Sequence, residues 1–115
     1  MKASFGSVKI FGRKYEEDII IHVDGRITKR KKKKSRDLKP LYGHTPLSEM
    51  ELGFLREEKP QVVYVGTGYE AGLPITEKTQ KILGEFETFI MPTPEIIEKI
   101  EQEERKAVAI IHVTC

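Results

Sequence analysis

A chain of 115 residues with 38% hydrophobic residues and a net charge of +2 has the size and composition of one domain with an ordinary core. It has no apolar run near the ~20 residues that span a bilayer and no apolar block at its start, so a cytoplasmic protein without membrane insertion is expected. The single cysteine, Cys115, excludes an internal disulfide, and His22, His44 and His112 lack ligand spacing, so neither a metal nor a cofactor is expected.

Lysine and glutamate are abundant and asparagine is absent, a bias of thermostable proteins. Residues 7–11 place Val8 and Ile10 on one side of Lys9 between Gly6 and Gly12, which predicts a short strand. Residues 18–23 predict a second, and Ile19, Ile20 and Ile21 in succession point to cover on both faces. Asp24-Gly25 is a two-residue hairpin signal that pairs residues 26–30 antiparallel with that strand.

The charge then becomes one-sided. Residues 26–39 hold nine cations against one acid, Asp37, so a segment of net +8 sits in a chain of net +2. Glu95, Glu98, Glu101, Glu103 and Glu104 carry part of the balance, and they read as the solvent face of a helix. Residues 38–45 read as loop. Ser48 with Glu51 predicts a capping box, and Leu47 with Leu52 a hydrophobic staple, on a helix that buries Met50, Phe54 and Leu55 and stops at Pro60.

Val62, Val63, Tyr64 and Val65 form a run bounded by Pro60 and by Gly66 and Gly68, which predicts a strand covered on both faces. Thr76 caps a helix that reaches Leu83 and stops at Gly84. Residues 86–91 alternate as a strand, and Thr93 as cap with Pro94 at the first helical position opens a helix whose buried stripe is Ile96, Ile97 and Ile100. Residues 106–113 close the described order as a strand. The alternation in this half predicts an α/β layer with largely parallel pairing, and the N-terminal β-hairpin region extends or flanks it. One domain over residues 1–115 with three helices is expected.

Two places invite a functional reading. The turn Gly66-Thr67-Gly68, with Tyr69 and Thr93 nearby, can line a small-anion or nucleotide pocket with backbone N–H groups. Gly72 follows one residue late for a dinucleotide fingerprint, and no helix opens directly. Glycines that merely allow close packing are the stronger reading. The second place is the basic run Arg30, Lys31, Lys32, Lys33, Lys34 and Arg36, suited to an acidic protein partner or to phosphates. No aromatic residue is interleaved across residues 26–39, so a stacking platform for nucleic acid is missing there. His112 and Cys115 lie three apart, on opposite faces of an extended strand, which disfavours a nucleophilic pair. His22 and His112 both read as histidines satisfied in or near the core.

Phe5-Gly6-Ser7-Val8-Lys9-Ile10 with Tyr15 and Asp18, then Val63-Tyr64-Val65-Gly66-Thr67-Gly68, Thr93, and finally Ile111-His112-Val113-Thr114-Cys115 recur in one order. In this the chain resembles the Mth-type conserved hypothetical family, a domain of unknown function. Its relatives include the adipogenesis-associated Mth-domain protein and mitochondrial complex I assembly factor three. The resemblance implies a three-layer α/β domain with a mixed central sheet whose last strand runs antiparallel to its neighbours. It implies no established enzyme activity, and members with a known role act in assembly or protein interaction. The family's aromatic-asparagine pair after the Thr93 position is replaced here by isoleucines. A non-enzymatic protein-interaction or assembly module without catalytic residues is therefore expected. The alternatives are an anion or enzymatic site at the glycine turn and non-specific nucleic-acid binding through the basic run.

Overall fold

The computed structural model of the chain describes residues 3–4, 6–42, 45–69 and 72–113; His44, Thr114 and Cys115 lie outside the described residues. Two sheets organise it. The first is antiparallel and joins β1 (Ala3–Ser4), β2 (Ser7–Ile10) and β3 (Arg13–Tyr15) in that order. The β2–β3 turn has φ 51° at Phe11 and 80° at Gly12, the positive pair that matches the twist of a tight hairpin. No signal in the sequence had placed β3, because a phenylalanine is an unfavourable residue for that conformation.

The second sheet contains β4 (Ile19–Ile21), β5 (Ile27–Lys29), β6 (Val62–Gly66), β7 (Glu87–Met91) and β8 (Ala107–Ile111), in the order β5-β4-β8-β6-β7. The β4–β5 hairpin forms, but its turn takes three residues, Val23, Asp24 and Gly25: the Gly25 N–H donates to the His22 carbonyl, and Gly25 has φ 89°. Ile19 lies opposite Lys29 and Ile21 opposite Ile27, one residue off the register of the expected two-residue Asp24-Gly25 turn. β6 runs parallel to both β7 and β8, as helical crossovers require. β8 is antiparallel to β4 but parallel to β6. This corrects the expectation of a last strand antiparallel to its neighbours: β8 is where the hairpin half meets the crossover half.

Alternation assigns the two faces. Ile19, Ile21, Val62, Tyr64, Ala109 and Ile111 pack with Val8 and Ile10 of the small sheet and with Ile96, Ile97 and Ile100. Ile20, Val63, Val65, Val108 and Ile110 pack on the other side with Leu47, Leu52, Leu55 and Leu83. Every residue of β6 is buried, so the strand is covered on both faces. The result is an α/β domain in three layers.

Among the described residues four α-helical segments stand around the sheet, where three helices are expected: α1 (Lys39–Tyr42), α2 (Phe54–Glu58), α3 (Glu77–Leu83) and α4 (Thr93–Gln102). The helix capped by Thr76 is as expected, with its hydroxyl accepting from the Thr79 N–H at 3.2 Å. Other expectations fail for stated reasons. The expected loop at residues 38–45 is helical as far as Tyr42, because a seven-residue 3₁₀ helix (Lys32–Leu38) runs straight into α1. Ser48 makes no capping bond: only a short 3₁₀ turn (Glu49–Glu51) follows it, and Glu51 points to Arg30 instead. Met50 is consequently 46% exposed, although Leu47 and Leu52 do share one buried cluster. Thr93 is the first residue of α4 and not its cap, since its hydroxyl is engaged elsewhere.

Candidate functional site

The turn after β6 gathers the expected residues. Gly66, Thr67 and Gly68 are buried, and Thr93 and His112 close over them. The Thr93 hydroxyl donates to the His112 carbonyl at 2.7 Å and accepts from the Gly68 N–H at 3.0 Å. The Thr67 N–H donates to the Met91 carbonyl, and the Tyr69 hydroxyl donates to the Ser7 carbonyl. A Cβ on Gly66 would lie 2.8 Å from Thr93 Oγ1, and one on Gly68 (φ 97°) 2.8 Å from His112 Cδ2. The Thr67 and Gly68 N–H groups are thus spent within the fold, and glycine is needed for side chains to approach.

His112 leads from this turn into a buried charge cluster. Its Nδ1 lies 2.7 Å from Asp18 Oδ2, and Asp18 Oδ1 accepts from the Val113 N–H at 2.9 Å. Arg30 donates to Asp18 at 2.9 Å, to both oxygens of Glu51 at 2.7 and 2.9 Å, and to the Pro46 carbonyl at 2.7 Å. Ser35 donates to Glu51 at 2.5 Å and lies 2.6 Å from the Ser48 hydroxyl. Asp18, Arg30, Ser35, Ser48, Glu51 and His112 are all buried. Burial alone raises the Asp18 pKa, but the bond and charge of His112, the Val113 N–H and the Lys32 ammonium outweigh it and hold the pKa at about 2. Burial pulls the Arg30 pKa down, and Glu51 and Asp18 together turn the net shift upward.

Arg30, expected on a basic surface, is therefore withdrawn from it: two carboxylates hold it inside. The sequence signal falls one residue short of this, since a two-residue Asp24-Gly25 turn sets Asp18 opposite Lys31. The hairpin register that places Ile19 opposite Lys29 continues to Asp18 and Arg30, whose backbones bond at 2.9 Å. Nothing local points to Glu51, Ser35 or Ser48. A hollow of about 160 Å³ opens beside the cluster, rimmed by Glu16, Glu17, Lys29 and Lys32.

The rest of the basic run stands on this cluster. In the 3₁₀ helix, Ser35 is buried and Lys32 and Leu38 are half-buried, while Lys33, Lys34 and Arg36 are exposed. Lys32 reaches Asp18 at 3.5 Å. Lys31 and Lys39 flank the helix, also exposed, and Leu41 and Tyr42 in α1 are 79% and 40% exposed.

His22 sits in a second row, with Nδ1 2.6 Å from Glu58 and Nε2 2.8 Å from the Thr28 hydroxyl. Glu58 also accepts from the Val23 N–H, and Phe54 meets the imidazole edge-on at 5.5 Å. The row ties the β4–β5 hairpin to α2; both ring nitrogens of His22 and Nδ1 of His112 have partners. Among the described residues no cluster of three or more His, Cys, Asp or Glu side chains could hold a metal ion, and no helix is long and apolar enough to cross a membrane.

A mixed five-stranded sheet, an added antiparallel sheet and a charge cluster that ties the ends of β4, β5 and β8 to the 3₁₀ segments define a small α/β domain. No protein-family model and no curated protein matches the chain. It is similar in structure to the conserved hypothetical protein PH1505 from Pyrococcus horikoshii OT3, with 33% identity, a TM-score of 0.83, and coverage of 100% of this chain and 98% of that one. It is also similar to MT938, with 35% identity, a TM-score of 0.78, and coverage of 100% and 96%. The chain belongs to the family of conserved hypothetical proteins that PH1505 represents.

Proposed function

We propose that the chain is a cytoplasmic, non-enzymatic interaction or assembly module of the Mth-type family, and that its contact surface is the basic segment. The observation that carries this reading is how that segment is mounted. Lys31, Lys33, Lys34, Arg36 and Lys39 are exposed on or beside a helix whose inner residues, Lys32 and Ser35, are tied to buried Asp18 and Glu51. Holding like charges together in an ordered segment costs both repulsion and chain entropy. A segment whose only task was to repel other strands would not need such an anchor. The glycine turn is the weaker candidate, because the Gly68 N–H and the Thr93 hydroxyl already satisfy each other.

The reading is tested by capture from cell extract with the immobilised protein, beside a variant carrying Lys31→Gln, Lys33→Gln, Lys34→Gln and Arg36→Gln. Partners released by salt from the wild type and absent from the variant are the expected result. Identical capture by both proteins overturns the reading.

A further inference from the structure

The helical segments found in place of a loop arrange the cations in rows. In a 3₁₀ helix residues three apart eclipse and each residue rises about 2 Å, so such residues follow one another at about 6 Å. The inner row is Lys32, Ser35 and Leu38, each half or fully buried, which fixes how the helix faces the core. The outer row is Lys33 and Arg36, continued by Lys39 at the start of α1, all exposed. Tyr42, 40% exposed, comes three residues later at the end of α1. Asp37 is the one acid between residues 31 and 42. The stacking group that residues 26–39 lack is thus supplied just beyond them, at the end of the row.

We infer that this row is a binding track for single-stranded nucleic acid, with Lys33, Arg36 and Lys39 meeting successive phosphates and Tyr42 stacking on a base. The inference rests on the reading of the basic segment as the contact surface and names its ligand. A line of cations on a segment anchored through Lys32 and Ser35, with a spacing comparable to that of neighbouring phosphates, suits a linear polyanion. The contacts are sequence-independent, because three long cationic side chains read backbone charge and an aromatic ring accepts any base. An anionic bilayer is the competing class of partner; there Leu41, 79% exposed, leads the contact in place of Tyr42.

The experiment is fluorescence anisotropy of the full chain with short labelled oligouridine and oligothymidine, beside co-sedimentation with phosphatidylglycerol vesicles. Three phosphate contacts give a slope of log affinity against log salt of about −2, or a loss of about 20-fold between about 50 and 200 mM salt. The variant Lys33→Gln/Arg36→Gln/Lys39→Gln flattens that slope to near zero. Tyr42→Ala weakens binding by about 5- to 150-fold, and Leu41→Ser leaves it unchanged. These side chains are exposed, so an unchanged denaturant midpoint verifies that each variant is folded. Equal binding of the two oligonucleotides assigns the contacts to phosphate and base faces; a preference for oligouridine adds the 2′-hydroxyl to them. No binding at the lowest salt overturns the inference, as does binding that the triple variant retains, or vesicle binding lost in Leu41→Ser without oligonucleotide binding. If oligonucleotides are ignored while the four-glutamine variant still loses its captured partners, the ligand is wrong and the contact surface stands. If capture is unchanged too, both fall.

Discussion

Replacing Arg30 by leucine removes four hydrogen bonds from a closed interior and leaves two carboxylates facing each other's former partner. Breaking a buried ion pair from one side costs about 3–5 kcal/mol, because the remaining charge stays buried. Here the loss belongs in the lower half of that range, about 3–4 kcal/mol. Asp18 keeps His112, the Val113 N–H and Lys32, and Glu51 keeps Ser35. For a domain of this size that is a fall in Tm of roughly 12–16 °C. Equilibrium unfolding in guanidinium chloride, followed by circular dichroism, measures it. Arg30→Lys recovers little, since an ammonium cannot fork to Glu51 and still reach Asp18 and Pro46. The double variant Arg30→Leu/Glu51→Leu regains about 2 kcal/mol over Arg30→Leu, because the orphaned carboxylate leaves with its partner. A loss below about 1 kcal/mol in Arg30→Leu, comparable to that of the exposed Lys33→Gln, refutes the reasoning.

Three further outcomes are expected. The folded-state pKa of Asp18, about 2, lies below its ordinary value of 3.8, so the group's stabilisation is complete above about pH 4 and is lost as pH falls through 2. That part is about 2 kcal/mol, measured as the difference between the pH–stability curves of the wild type and Asp18→Asn; parallel curves contradict it. Gly66→Ala forces a Cβ to 2.8 Å from Thr93 Oγ1 and 3.3 Å from Ile96 Cγ2, and should cost about 1–3 kcal/mol with no change in phosphate affinity by calorimetry. Unchanged stability with a lost phosphate site would favour the anion pocket. Val63→Asp buries an unpaired carboxylate in a fully buried position and should cost several kcal/mol, and the amides of residues 62–65 should exchange among the slowest in the chain.

Where the determinant is local, the fold is readable in the sequence. Asp24-Gly25 marks the β4–β5 hairpin though not its register, the run from Val62 to Val65 dictates a covered strand, and the spacing of Ile96, Ile97 and Ile100 dictates the buried stripe of α4. Ser48 and Glu51 show the limit. Their spacing fits a capping box, but a buried guanidinium 21 residues away outbids the helix N-terminus for the carboxylate. Thr93 is the same case: a good capping residue whose hydroxyl is claimed by Gly68 and His112. The basic run was visible as a run, yet its division into a buried Arg30, a tethered Lys32 and an exposed outer row depends on Ser35, which nothing in its neighbourhood marks as an anchor. Phe11 at positive φ hid a whole strand.

The strand order has a consequence for how the protein is made. β8 lies between β4 and β6, but it follows both in the chain and leaves the ribosome after the other described strands. Until residues 107–111 emerge, the β4–β5 hairpin and the β6–β7 pair have no strand in common, and each presents an unpaired inner edge. Those edges are Ile19, Ile20 and Ile21 on one side and Val62, Val63, Tyr64 and Val65 on the other, sequences rich in β-branched residues and free of charge. Such edges are templates for pairing with another nascent chain. The interval before β8 emerges is therefore the vulnerable one. Arriving in that gap, β8 pairs with both half-sheets at once.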